Sequence, residues 1–218
     1  MRQVTGKTNL GSAANKVSIQ LALDGHSFSL TGLPARAAAA AEEAPLAGDA
    51  GAPAWVVEVH TPRTLLVPEA LFAPEAAALL LEADGKAPHA SETIVHSRPA
   101  DGMVAVMALP AAALEQLREG LGGETALDYT TPLLHALSPA KPTLLLQWVA
   151  RYLYIKGWHA GLRLAEVLPA PTEADVLYAL ERLESEFQAK QYALRTAGAR
   201  AKELAKLKRH LYPDTRCE

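Results

Sequence analysis

Thr143-Leu144-Leu145-Leu146-Gln147-Trp148-Val149 is followed by Arg151-Tyr152-Leu153-Tyr154-Ile155, a Lys156-Gly157 turn, and then Leu162-Arg163-Leu164-Ala165-Glu166-Val167. Three apolar runs of strand length, punctuated by turn residues, predict a three-stranded meander. A helix with a defined start comes next. Pro171 precedes Thr172, and Asp175 stands three residues beyond Thr172, where its carboxylate closes a capping box. Val176, Leu177, Leu180, Leu183 and Phe187 recur at helical spacing and supply the buried face. Tyr192-Ala193-Leu194-Arg195-Thr196 reads as a fourth strand. Gly198 marks the exit into a helix carrying Leu204, Leu207 and Leu211, and Thr215 to Glu218 is a candidate last strand. The unit runs β-β-β-α-β-α.

Upstream, Val17-Ser18-Ile19-Gln20-Leu21-Ala22-Leu23 and His26-Ser27-Phe28-Ser29-Leu30 alternate in polarity on either side of Asp24-Gly25. This is a hairpin signal, because both central residues of a two-residue turn need positive φ. Trp55 to Val59 is a third strand, and Arg63 to Val67 a further extended piece. Pro68 to Leu81 reads as helical, with Pro74 at the start of a second helix. Strands around Ile94 and over Met103 to Met107 precede a helix from Ala111 to Gly120. The first half thus opens as the second does, with a hairpin and a third strand before helices. Two such units side by side make the architecture of actin-like proteins. The expected fold class is α/β with mixed sheets, in two ribonuclease-H-like lobes, each β-β-β-α-β-α. The expected divisions are a disordered tail over 1–16, a first lobe over 17–139 with an alanine-rich insertion at 34–53, and a second lobe over 140–218.

Bulk properties narrow the function classes. A net charge of −3 creates no global field to draw nucleic acid or an anionic membrane. The basic residues gather late instead, with Lys202, Lys206 and Arg209 on the last helix. Cys217 is the single cysteine, so no intrachain disulfide forms and a reducing compartment is expected. Neither a signal-like apolar run at the N-terminus nor a membrane-length apolar stretch occurs, so the expected location is the cytoplasm.

The stretches Val17 to Ser29 and Thr64-Leu65-Leu66-Val67-Pro68-Glu69-Ala70-Leu71-Phe72 resemble the two signature stretches of a family of unassigned function found in Bacteroidetes. Thr131-Pro132-Leu133-Leu134, and the meander followed by Asp175-Val176-Leu177-Tyr178-Ala179-Leu180, resemble its later blocks. The resemblance implies an actin-like, ribonuclease-H-like fold of the ATPase type, with no established catalytic residues to carry over.

Actin-like ATPases need two phosphate-binding hairpins, each with a carboxylate near a glycine turn, because backbone N–H groups must approach phosphate and carboxylates must hold Mg²⁺. Asp24-Gly25 fits the first hairpin in position, though it reads more simply as a plain hairpin turn, and Gly198 is a candidate remnant of an adenosine-binding segment carried by one glycine. The matching second turn, Gln147 to Tyr152, has neither carboxylate nor glycine. A two-metal nuclease needs converging acids. Glu58 is read instead as an isolated, outward-facing strand residue. Gly6-Lys7-Thr8 lacks the upstream glycine and strand of a phosphate loop. The seven histidines show no ligand spacing and read as surface or turn residues, so neither metal nor cofactor is expected. Trp148, Tyr152, Tyr154 and Trp158 stand among Arg151, Lys156, His159 and Arg163, a mixture able to dock protein or stack bases.

The expectation is therefore a non-catalytic actin-like scaffold or adaptor that binds another protein. Its partner-binding candidates are Trp148, Arg151, Trp158, Lys202, Lys206 and Arg209. Two alternatives stand beside it: a nucleotide-binding protein using Asp24, Gly25 and Gly198 in an interlobe cleft, and an RNA-associated accessory protein using the basic last helix.

Overall fold

The computed structural model describes residues 18–24, 27–31, 55–121, 127–135, 141–187 and 189–211. Strands β1 (Ser18–Asp24) and β2 (Ser27–Thr31) form the antiparallel hairpin that Asp24-Gly25 signalled, with Asp24 opposite Ser27. Strand β3 (Trp55–His60) lies on the other side of β1, and β7 (Leu127–Thr130) lies beyond β3, giving a sheet of order β2-β1-β3-β7.

Strand β3 follows the hairpin as expected but does not extend it as a meander. It runs parallel to β1, with Ser18 opposite Val56, and β7 runs parallel to β3 in turn. An antiparallel third strand can follow a hairpin through a tight turn, whereas a parallel one requires a crossover. The chain between β2 and β3, including the alanine-rich stretch at 34–53, lies outside the described residues, as do the tail over 1–16 and the candidate strand from Thr215.

Between β3 and β7 the chain builds a second, antiparallel sheet of order β4-β6-β5 from β4 (Thr64–Pro68), β5 (Glu92–His96) and β6 (Met103–Pro110). Its helices are α1 (Ala77–Ala83) and α2 (Ala111–Gly120). The helical reading of Pro68 to Leu81 resolves into two 3-10 turns, Glu69–Leu71 and Pro74–Ala76, followed by α1. Ala73 is extended at φ −131° and ψ 127°, as sterics demand of a residue before proline, so the helical path breaks there and restarts at Pro74.

The second half follows its expected order. Strands β8 (Thr143–Val149), β9 (Tyr152–Trp158) and β10 (Leu162–Pro169) form the meander. Helix α3 (Glu173–Phe187) then crosses to β11 (Ala193–Ala197), which pairs parallel with β8, and α4 (Ala201–Leu211) follows. The sheet order is β10-β9-β8-β11. The capping box is formed as read: the Thr172 backbone N–H donates to Asp175 Oδ2 at 2.9 Å, and the Asp175 N–H donates to Thr172 Oγ1 at 3.3 Å.

One turn is misplaced in the sequence reading. Lys156 and Gly157 lie inside β9, and the chain reverses at His159–Gly161, where Ala160 has φ 53°. Gly157 serves close packing rather than a turn. A Cβ there would sit 3.0 Å from Phe187 Cζ and 3.1 Å from Leu164 Cβ.

Both faces of β8 and β9 are buried, and alternation sorts their side chains. Leu144, Leu146 and Trp148 on β8, with Leu153 and Ile155 on β9, pack against α3 and α4. Tyr152 and Tyr154 project from the opposite face, where with Leu133, Val167 and Leu66 they form a smaller apolar cluster against the first half. Among the described residues, no helix is long and apolar enough to cross a membrane.

Candidate functional site

Polar side chains gather where the second-half sheet meets the first half. Glu58 and His60 lie two apart on β3 and therefore share a face. After β7, the 3-10 turn Pro132–Leu134 buries Pro132 and Leu133 and delivers His135 to the same place. From the facing sheet come Gln147 on β8, Tyr154 directly opposite it on β9, and Lys156 two residues further along. Each of these polar residues interrupts an otherwise apolar strand, so each must find its hydrogen bonds inside the protein.

Glu58, His60, His135, Gln147 and Lys156 find them in one another and in the turn's carbonyls, while the buried Tyr154 hydroxyl has no hydrogen-bond partner among the described residues. His60, only 1% exposed, donates from Nε2 to Glu58 Oε1 at 2.6 Å, and its ring stands edge-on to Tyr154 with centroids 6.2 Å apart. His135 Nε2 lies 3.2 Å from Glu58 Oε2, and His135 Nδ1 lies 2.9 Å from Gln147 Oε1. Gln147 Nε2 donates to the Pro132 carbonyl at 2.9 Å, and Lys156 Nζ donates to the His135 carbonyl at 3.1 Å. The connection between the halves is thus grasped from both sides.

Electrostatics follow from this geometry. Burial alone pushes the Glu58 carboxyl up, but hydrogen bonds from His135 and His60, with the charges of both rings, outweigh it and hold the group at about 2. The hydrogen bond to Glu58 raises His135, against the smaller opposing effect of burial. Burial lowers Lys156 and carries the Tyr154 phenol well above its ordinary value.

The residues singled out from sequence are distributed otherwise. Asp24 closes β1, while Gly25 lies outside the described residues. Gly198 has φ 85° between β11 and α4, and its carbonyl accepts from the Ala201 N–H at 3.2 Å, so the turn into the helix accounts for its conformation. Trp148 is 1% exposed in the second-half core, donates from Nε1 to the Ala170 carbonyl at 2.8 Å, and carries the Arg200 guanidinium 3.0 Å from its ring centroid. It offers no docking surface, because its place on β8 points it toward the helices. Arg151 is exposed at the β8–β9 turn, and Trp158 is half-buried at the end of β9. Lys202 and Lys206 are exposed on α4, and Arg209 stands on the same helix with its side chain outside the described residues.

Two sequence readings are corrected here. Glu58 is a bridge between two imidazoles rather than an isolated outward residue, and His60 is a core residue rather than a surface one. The signal was present in the strands: Glu58, Gln147 and Lys156 stand in runs too apolar for either face to be wet. Among the described residues, no group of His, Cys, Asp and Glu is arranged to hold a metal ion.

No protein-family model matches the chain, and no curated protein matches it. Among solved structures it is similar to a protein of Bacteroides thetaiotaomicron with an actin-like ATPase fold and unknown function, at 13% identity and a TM-score of 0.60, with 91% of this chain and 88% of that one covered. A weaker likeness, at 9% identity and a TM-score of 0.39 over 82% of this chain and 81% of the other, is to the cytoplasmic domain of EpsL, an inner-membrane component of the type II secretion system of Vibrio cholerae. The second likeness carries no weight and the first shows the fold alone: this chain has the actin-like ATPase fold.

Proposed function

We propose that the protein is a non-catalytic actin-like scaffold or adaptor of the cytoplasm that binds another protein, akin to the Bacteroidetes family its signature stretches resemble. The observation that carries this reading is that Glu58 and His135, the acid and base candidates between the halves, are bonded to the chain's own residues. Both carboxylate oxygens of Glu58 and both ring nitrogens of His135 are engaged by the chain's own residues. A general acid or base needs an atom free to exchange a proton with substrate. Here the best-placed titratable groups are committed to holding the fold. The β8–β9 turn adds support, since Ala150 takes the positive φ of 52° beside Arg151, where a phosphate hairpin calls for glycine and a carboxylate.

The surface offered to a partner is the exposed side of α4, with Lys202 and Lys206, together with Arg151 and Trp158. Reversing charge at Lys202, Lys206 and Arg209 together is expected to weaken capture of the partner roughly tenfold, about 1.4 kcal/mol, in a pull-down that compares the variant with the parent chain. Unchanged capture removes α4 from the interface. Binding that falls steeply with salt and disappears with ribonuclease assigns α4 to RNA instead.

Thermal unfolding with ATP, ADP or GTP and Mg²⁺ at millimolar concentration is expected to show no shift in melting temperature, and Asp24→Ala is expected to leave partner capture intact. A ligand that binds only the folded state must raise the melting temperature by mass action. A rise of several degrees that Asp24→Ala abolishes overturns the scaffold reading in favour of a nucleotide cleft.

A further inference from the structure

The hydrogen-bond directions around His135 leave its ring a single protonation state. Gln147 donates from Nε2 to the Pro132 carbonyl, so its Oε1 is the atom facing His135 Nδ1, and an amide oxygen only accepts. Nδ1 must therefore carry a hydrogen. On the other side of the ring, Nε2 faces Glu58 Oε2, and an ionised carboxylate also only accepts, so Nε2 must carry a hydrogen as well. A neutral imidazole has one N–H and cannot satisfy both contacts.

We propose that His135 is a proton-dependent latch: as imidazolium it ties Glu58 of the first half to Gln147 of the second, and on losing its proton it releases one of them. The charged and titratable groups around the ring are Glu58 from β3, with His60 bonded to its other oxygen, and Lys156 and Tyr154 from β9, with Asp101 in turn acting on Lys156. Glu58 is the favourable partner. Lys156 opposes the imidazolium, and its ammonium binds the His135 backbone carbonyl, which keeps the residue in place when the ring lets go. The His135 side chain is 46% exposed, so protons reach it without any opening of the core. Neutral histidine leaves a lone pair against either Glu58 or Gln147, and that repulsion turns the ring away. Since proton binding and the contacts to Glu58 and Gln147 are linked, whatever breaks those contacts also expels the proton.

The test uses the full chain with Cys217→Ser, and with Glu82→Cys and Ser185→Cys labelled as a fluorescent pair across the halves. At about pH 6 a narrow distance distribution is expected, and at about pH 9 a broader and longer one, with the midpoint following the titration of His135. Nitrogen-15 spectra of the imidazole supply that titration, with both ring nitrogens protonated at the lower pH. Glu58→Gln is expected to move the midpoint to lower pH. A neutral His135 ring at pH 6 overturns the proposal. So does a distance distribution that stays the same while the ring titrates, and the labelled chain that keeps Glu58 decides both should Glu58→Gln fail to fold.

Discussion

Trp148→Ala is expected to lower the melting temperature by about 10 °C, the consequence of emptying a large aromatic site in the second-half core at a cost of about 3–5 kcal/mol. Three losses act together. The indole is buried among Leu146, Leu153 and the residues of α3 and α4. Its Nε1–H satisfies the Ala170 carbonyl at the entrance to α3, and its face receives Arg200 at the start of α4. Trp148→Phe keeps most of the packing but orphans the Ala170 carbonyl, so a smaller loss of about 1–3 kcal/mol is expected. Differential scanning calorimetry distinguishes this from a docking role. A change in melting temperature within a degree or two for Trp148→Ala, accompanied by loss of partner binding, would falsify the core assignment.

Glu58→Gln is expected to cost about 3 kcal/mol at neutral pH, the free-energy equivalent of holding a carboxyl at about 2 against an ordinary value of 4.5. Because the folded-state value lies below the unfolded one, the unfolded chain takes up the proton first as pH falls. The contribution is complete above about 4.5 and is lost as pH approaches 2. Urea unfolding across that range should therefore show the parent chain weakening more steeply than Glu58→Gln, with the two curves converging at the acid end. Parallel curves would sink the assignment. His135 limits the other flank. Its folded value is raised above 6.5, so its contribution is present below 6.5 and lost as pH rises through the raised value. The pair thus stabilises the join between the halves most between about pH 4.5 and 6.5.

Local chemistry made much of this legible. The Thr172–Asp175 cap, the Asp24-Gly25 hairpin and the three runs of the meander are signals carried by neighbouring residues, and each formed where it was read. Gly157 misled because a glycine placed for close packing against Phe187 carries the same letter as one placed for a turn. The parallel course of β3 was equally unreadable, since strand direction is set by the path the chain takes between strands and not by the strand's own pattern.

The site divides along the same line. Sequence alone determined that Gln147 lies in an apolar strand, that the chain has an actin-like fold, and that its second hairpin turn lacks a carboxylate and a glycine; Lys156 it placed in a turn, and only the structure put that residue inside β9. Only the tertiary structure decided which face of β8 and β9 each side chain occupies. Burial of both faces sent Trp148 to the helices and Gln147 to the first half. Only it joined Glu58 to His135, 77 residues apart in the chain. A hydrogen bond between distant residues depends on where two sheets meet, and no local propensity records that meeting.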